Sequence, residues 1–126
     1  MEPATEIALL LCFGAEPELL NPDMPWWLNV ATYRFQVEGF AVSFTVEPGY
    51  FRVHLDVRRD GLRLFGFDAE WIAELRIIDE ADVDAIVVVM DVNSWLRLQL
   101  RPTFEVIHGF KPASSYGRSP DDDFRL

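Results

Sequence analysis

The sequence holds a single cysteine, Cys12, so the chain cannot close a disulfide within itself. Cys12 falls inside the apolar run Ile7 to Phe13, where a thiol packs as a small hydrophobe rather than reacting. Histidine is nearly as scarce. His54 and His108, with one thiol, cannot furnish the usual tetrahedral zinc set unless carboxylates join them. Glycine-rich phosphate loops, nucleophile elbows and kinase-like signatures are missing, which disfavours catalysis. Long apolar runs are missing too. The Ile7 to Phe13 stretch is too short to span a bilayer, and Glu2 and Glu6 stand where an export signal would carry positive charge. A cytoplasmic protein with no cofactor and no metal is the expectation.

Basic residues are also few, 11 against 21 acidic ones, for a formal net charge of −10. Nucleic-acid affinity comes mainly from Lys and Arg neutralising phosphates, so this balance speaks against a nucleic-acid partner. Anionic membrane surfaces attract basic segments and repel acidic ones, so it speaks against a membrane as well. A basic protein partner fits the charge, because complementary fields speed encounter and favour correct orientation.

What is present is a core. Half of the 126 residues are hydrophobic and 13% are aromatic, a composition that folds despite its charge. The length suits one domain, placed at residues 1–110. Residues 111–126, with Pro, Ser, Gly and the Asp121 to Asp123 triplet, read as a flexible acidic tail.

From Thr32 to Phe67 the hydrophobic pattern has period two, the mark of strands with one buried face. Tyr33, Phe35 and Val37 form one such face. Phe40, Val42, Phe44 and Val46 form the next, then Phe51, Val53, Leu55 and Val57, then Leu62 and Leu64. Glu38-Gly39, Glu47-Pro48-Gly49 and Asp60-Gly61 separate them as tight turns, so an antiparallel meander is predicted.

Behind Asp68, a candidate N-cap, Trp71, Ile72, Leu75 and Ile78 fall at helical spacing, which predicts a short helix over Asp68 to Ile78. The β-branched pair Ile77-Ile78 supports a rival strand reading. Ala85 to Val92 reads as a strand buried on both faces, and Asp91 to Ser94 as a turn. Leu96, Leu98 and Leu100 alternate with Arg97, Gln99 and Arg101 as an amphipathic strand ending at Pro102; Phe104 and Val106 begin a last one. The fold class is α+β: mainly an antiparallel β-meander sheet of six to seven strands with one short helix packed against it.

His54 and Asp56 lie two apart on a strand and share its wet face, where a His–carboxylate pair could orient a proton-transfer base. Solvated surface is the commoner fate of such residues. Asp79, Glu80, Asp82 and Asp84 offer oxygen ligands but lack the glycine and glutamate of the EF-hand loop, so a protein-binding surface suits them better. The four tryptophans are many for this length, and a tryptophan beside acidic residues is a frequent interface hot spot. Trp26 and Trp27 are the pair to watch, since neighbours on an extended chain point in opposite directions.

Acidity, a β-meander with one helix and no active-site motif resemble the immunity proteins of bacterial toxin systems. The resemblance is one of type and covers Tyr33 to Phe110. Its best local matches are the run Leu62-Arg63-Leu64-Phe65-Gly66-Phe67, the apolar Ala85 to Met90, and Leu96 to Leu100. It implies a protein that neutralises a cognate toxin by covering or distorting its active site, with acidic charge matched to a basic toxin. Trp26, Trp27, Glu70, Glu74, Asp79, Glu80, Asp82 and Asp84 are then the partner-binding candidates. Two alternatives stand beside it. One is a small-ligand-binding or catalytic β-domain using His54, Asp56 and Tyr50; the other is a non-catalytic subunit of a larger assembly. The oligomeric state stays open.

Overall fold

A computed structural model describes residues 4–110. The acidic tail, and Asp121 to Asp123 with it, lies outside the described residues. The chain is α+β, with nine strands in two antiparallel sheets and one α-helix among the described residues. It groups into two compact units that meet in sequence at Trp71 and Ile72.

The first unit begins with helix α1, Ala4–Phe13. Alanine and leucine favour helix, and Gly14 ends it in a left-handed conformation (φ 65°), donating its N–H to the Leu10 carbonyl. The helix buries Leu9, Cys12 and Phe13. Phe13 stacks on Phe35 at 4.7 Å and meets Phe44 and Tyr33 at 5.3 and 5.2 Å, which fixes α1 to one face of the sheet.

That sheet runs in sequence order through β1 (Glu18–Leu19), β2 (Ala31–Val37), β3 (Phe40–Glu47), β4 (Arg52–Arg59) and β5 (Leu62–Ala69). The predicted meander is therefore present, and period two places Tyr33, Val42, Phe44, Val46, Val53, Leu55 and Val57 in the core. Glu38-Gly39 and Asp60-Gly61 both take positive φ at their two central positions, as two-residue hairpins that follow strand twist require. The Pro48 turn differs from expectation. It is a 3-10 turn over Pro48–Tyr50, and the left-handed residue is Phe51 (φ 50°) rather than Gly49.

The second unit contains β6 (Glu74–Glu80), β7 (Val83–Asp91), β8 (Ser94–Arg101) and β9 (Glu105–Phe110), again in sequence order. The helix expected over Asp68 to Ile78 is not there: β5 continues to Ala69 opposite Val53, and β6 pairs Ile77 and Ile78 with Ile86 and Ala85. Pairing in the ladder outweighs the helical spacing, as the β-branched isoleucines favour. Ala85 to Val89 are all buried, as a strand covered on both faces should be. On β8, by contrast, Arg97 and Gln99 are not solvated. They are 2% and 3% exposed, with Arg97 Nη2 donating to Gln99 Oε1 at 2.5 Å and Gln99 Nε2 to the Thr103 carbonyl at 3.0 Å. Desolvation lowers the Arg97 pKa, with Glu105 opposing it.

Candidate functional site

Exposed aromatic residues gather in the first unit. Trp27 sits in a 3-10 turn, Trp26–Leu28, whose carbonyl at Trp27 is 3.6 Å from where a Cβ on Gly49 would stand. The two 3-10 turns therefore abut, and Trp27, Leu28 and Tyr50 stand out at 53%, 60% and 65% exposure. Tyr50 and Trp71 line one small pocket of about 210 Å³ together with Glu47, Arg52 and Glu70. Trp71 is 69% exposed and Phe51 40%. Large exposed apolar side chains gathered on abutting turns and a shared pocket suit an interaction site better than scattered surface residues do.

Two members of this patch carry backbone strain. Phe51 and Trp71 hold φ of 50° and 55°, a left-handed conformation that costs a residue with a Cβ about 1–2 kcal/mol. Phe51 lies just before β4, and Trp71 lies between the end of β5 and the start of β6, so both strained residues sit outside the ladders.

Arg52 organises the rim. Its guanidinium grips Asp68 with two hydrogen bonds of 2.9 and 3.1 Å, and stands 3.6 Å from Glu47 and 3.9 Å from Glu70. The hydrogen bonds from Arg52 hold the Asp68 carboxyl below the usual carboxylate range, and Asp68 in turn raises the Arg52 pKa. Three carboxylates against one guanidinium leave the rim net negative.

The predicted partner residues separate accordingly. Trp27 and Glu70 belong to the patch. Trp26 does not: it is 3% exposed, and its indole N–H donates to the Tyr33 hydroxyl at 3.2 Å, so it is core rather than contact. Glu74, Asp79, Glu80, Asp82 and Asp84 lie in the second unit, along β6, its hairpin and the start of β7. Glu74 is paired with Arg76 at 2.6 Å, which lowers its pKa, and Asp84 is paired with Arg101. Asp79, Glu80 and Asp82 are exposed. Among the described residues no group of three or more His, Cys, Asp or Glu is arranged to hold a metal ion, and no helix is long and apolar enough to cross a membrane.

Sequence reasoning missed Phe51, Leu28 and Arg52. It set Phe51 on the buried face of its strand, but β4 begins only at Arg52, and the residue before it belongs to the turn. The signal available was the Pro-Gly turn followed directly by two aromatic residues, Tyr50 and Phe51.

The face of the first sheet that carries His54 and Asp56 is polar, and the two share it as their spacing requires. They do not form a dyad. Arg58 Nε reaches Asp56 Oδ2 at 2.7 Å and Arg63 Nε reaches Oδ1 at 3.0 Å, so both carboxylate oxygens are engaged by arginine. His54 stands instead across the ladder from Asp68, whose carboxyl it helps to stabilise in the charged form.

No known family model, curated protein or solved structure matches this chain. Its function is therefore read from the geometry of these surfaces.

Proposed function

We propose that this chain is a protein-binding domain that docks a basic partner on the aromatic patch of its first unit. One observation supports the reading above the others: Trp27, Tyr50 and Trp71 are each more than half exposed, and Tyr50 and Trp71 flank a rim in which Arg52 holds Glu47, Asp68 and Glu70. Large aromatic anchors inside a charged rim are the usual makeup of interface hot spots. The negative rim selects a partner presenting Lys or Arg around an apolar pocket.

The type-level resemblance to immunity proteins makes a toxin the partner of choice, neutralised by occlusion. The hairpin carboxylates Asp79, Glu80 and Asp82 add to a long-range field that steers a basic molecule toward the chain. To test the reading, products of genes encoded beside this one would be mixed with the protein and followed by calorimetry. A complex is expected whose association slows with added salt and whose affinity falls when Trp27 or Trp71 is replaced by alanine. A complex indifferent to both replacements, or none at all, would overturn it.

A further inference from the structure

The polar face of the first sheet holds a different chemistry. In a chain with net charge −10, it opens a depression of about 750 Å³ whose charged lining is Arg34, Arg58 and Arg63 against Asp56 alone, beside the His54 imidazole. Counting Glu18, which pairs with Arg34 at the edge, three guanidiniums face two carboxylates, and the spot stays a locally positive island on an acidic protein. A depression of this volume suits a small molecule.

Strand register explains how the island is built. Arg34, Ser43, Asp56 and Gly66 are consecutive cross-strand partners on β2, β3, β4 and β5, with Arg58 and Arg63 paired in the row alongside. A Cβ on Gly66 would overlap the guanidinium of Arg63, so glycine leaves open the path by which that side chain lies across β5 to reach Asp56. Asp56 is 17% exposed and holds Arg58 and Arg63 through their Nε groups, while their terminal N–H donors have no partner among the described residues. Arg34 holds Glu18 through Nε at 3.0 Å and gives Nη1 to the Ser43 hydroxyl at 3.0 Å. Because Ser43 Oγ accepts that bond, its own hydrogen remains available to donate. Thr32 and Thr45 hydroxyls pair at 3.0 Å, which likewise leaves one hydroxyl hydrogen over.

We propose that this face is a binding site for a small phosphate-bearing anion, held by Arg34, Arg58 and Arg63 with Ser43 donating to it. Asp56 positions two of the guanidiniums and is not a base. The donors converge from both sides of the β3–β4 ladder, which suits a tetrahedral oxyanion with oxygens facing several ways better than a planar carboxylate.

The test is nuclear magnetic resonance on the full chain at low ionic strength, reading arginine Nε–H signals while sodium phosphate is added. Sodium chloride and sodium malonate at matched ionic strength are run beside it. Saturable shifts of Arg58 and Arg63 are expected with phosphate. Arg58→Gln should weaken binding about tenfold, the worth of one lost charge-assisted hydrogen bond. Gly66→Ala, which displaces Arg63, should weaken it as well, while the protein's thermal melt reports that the fold persists. Shifts that fail to saturate, that chloride reproduces, that malonate saturates in place of phosphate, or that survive Arg58→Gln undiminished would overturn the proposal.

Discussion

The Trp26 indole N–H donates to the Tyr33 hydroxyl across 3.2 Å, with both residues buried. The bond pins the 3-10 turn to β2, and the turn in turn sends the neighbouring Trp27 outward. One tryptophan thus anchors what the other displays. Tyr33→Phe removes the acceptor and leaves a buried indole N–H unsatisfied, so it should cost about 1–3 kcal/mol, read as a shift in the urea midpoint.

Burial raises the Tyr33 pKa to about 12; the Trp26 hydrogen bond lowers it somewhat and Glu6 raises it. Since the folded value lies above the unfolded one of about 10, the stability held by the neutral phenol is whole below pH 10 and is lost as pH climbs through 12. Ultraviolet titration should show this tyrosine ionising late, together with alkaline unfolding. A Tyr33→Phe protein in which the late-ionising signal persisted would count against the assignment.

Trp71 is both strained and exposed, which makes stability and binding separable. Replacing Trp71 by glycine releases the left-handed penalty while adding the entropy cost of glycine, two effects of about 1 kcal/mol that oppose each other. The melting temperature should hardly move, whereas partner affinity should fall at least about tenfold, the scale of a hot-spot residue. Equal loss of both would mean that Trp71 serves the fold and not the surface.

The Arg52–Asp68 pair is exposed and screened by solvent, so its contribution to stability at neutral pH is small. Its sign is fixed all the same. Asp68 has a folded pKa below its unfolded value, so its contribution is present above about pH 4 and is lost as pH falls through the depressed folded value. Asp68→Asn should flatten the acid limb of the stability curve and leave the plateau near neutral pH almost unchanged, as measured by denaturation across pH.

Much of the first sheet was legible because its hairpins announce themselves: Glu38-Gly39 and Asp60-Gly61 sit between alternating runs, and register follows from such turns. Helix α1 was not, since Ala8 to Leu11 is apolar all round and carries no amphipathic rhythm to separate it from a strand; only Gly14 behind it marks an end. The helix expected at Asp68 failed for the opposite reason. Its spacing was right by chance, and pairing with β4 and β7 prevailed. Of the candidate site, Trp27 and Glu70 could be named from composition. Arg52 and Phe51 could not, because their roles depend on where a turn ends to within one residue, and the arginine island depends on which strands become neighbours.

Arg97 and Gln99 show how far tertiary context can reverse a reading. Their alternation with Leu96, Leu98 and Leu100 has the rhythm of a half-wet strand, yet both are buried and bonded to each other. A buried polar pair is costly to break from one side and nearly neutral to replace whole. Arg97→Met alone should therefore destabilise the protein by about 1–3 kcal/mol, because Gln99 Oε1 loses its donor inside the fold. Gln99→Leu alone should do the same to Arg97. The double variant should recover most of the loss, since no buried half-bond remains and the exposed Thr103 carbonyl can turn to water. A double-mutant cycle by urea denaturation measures the coupling directly, and additive losses would show that the two side chains are held by the sheet independently.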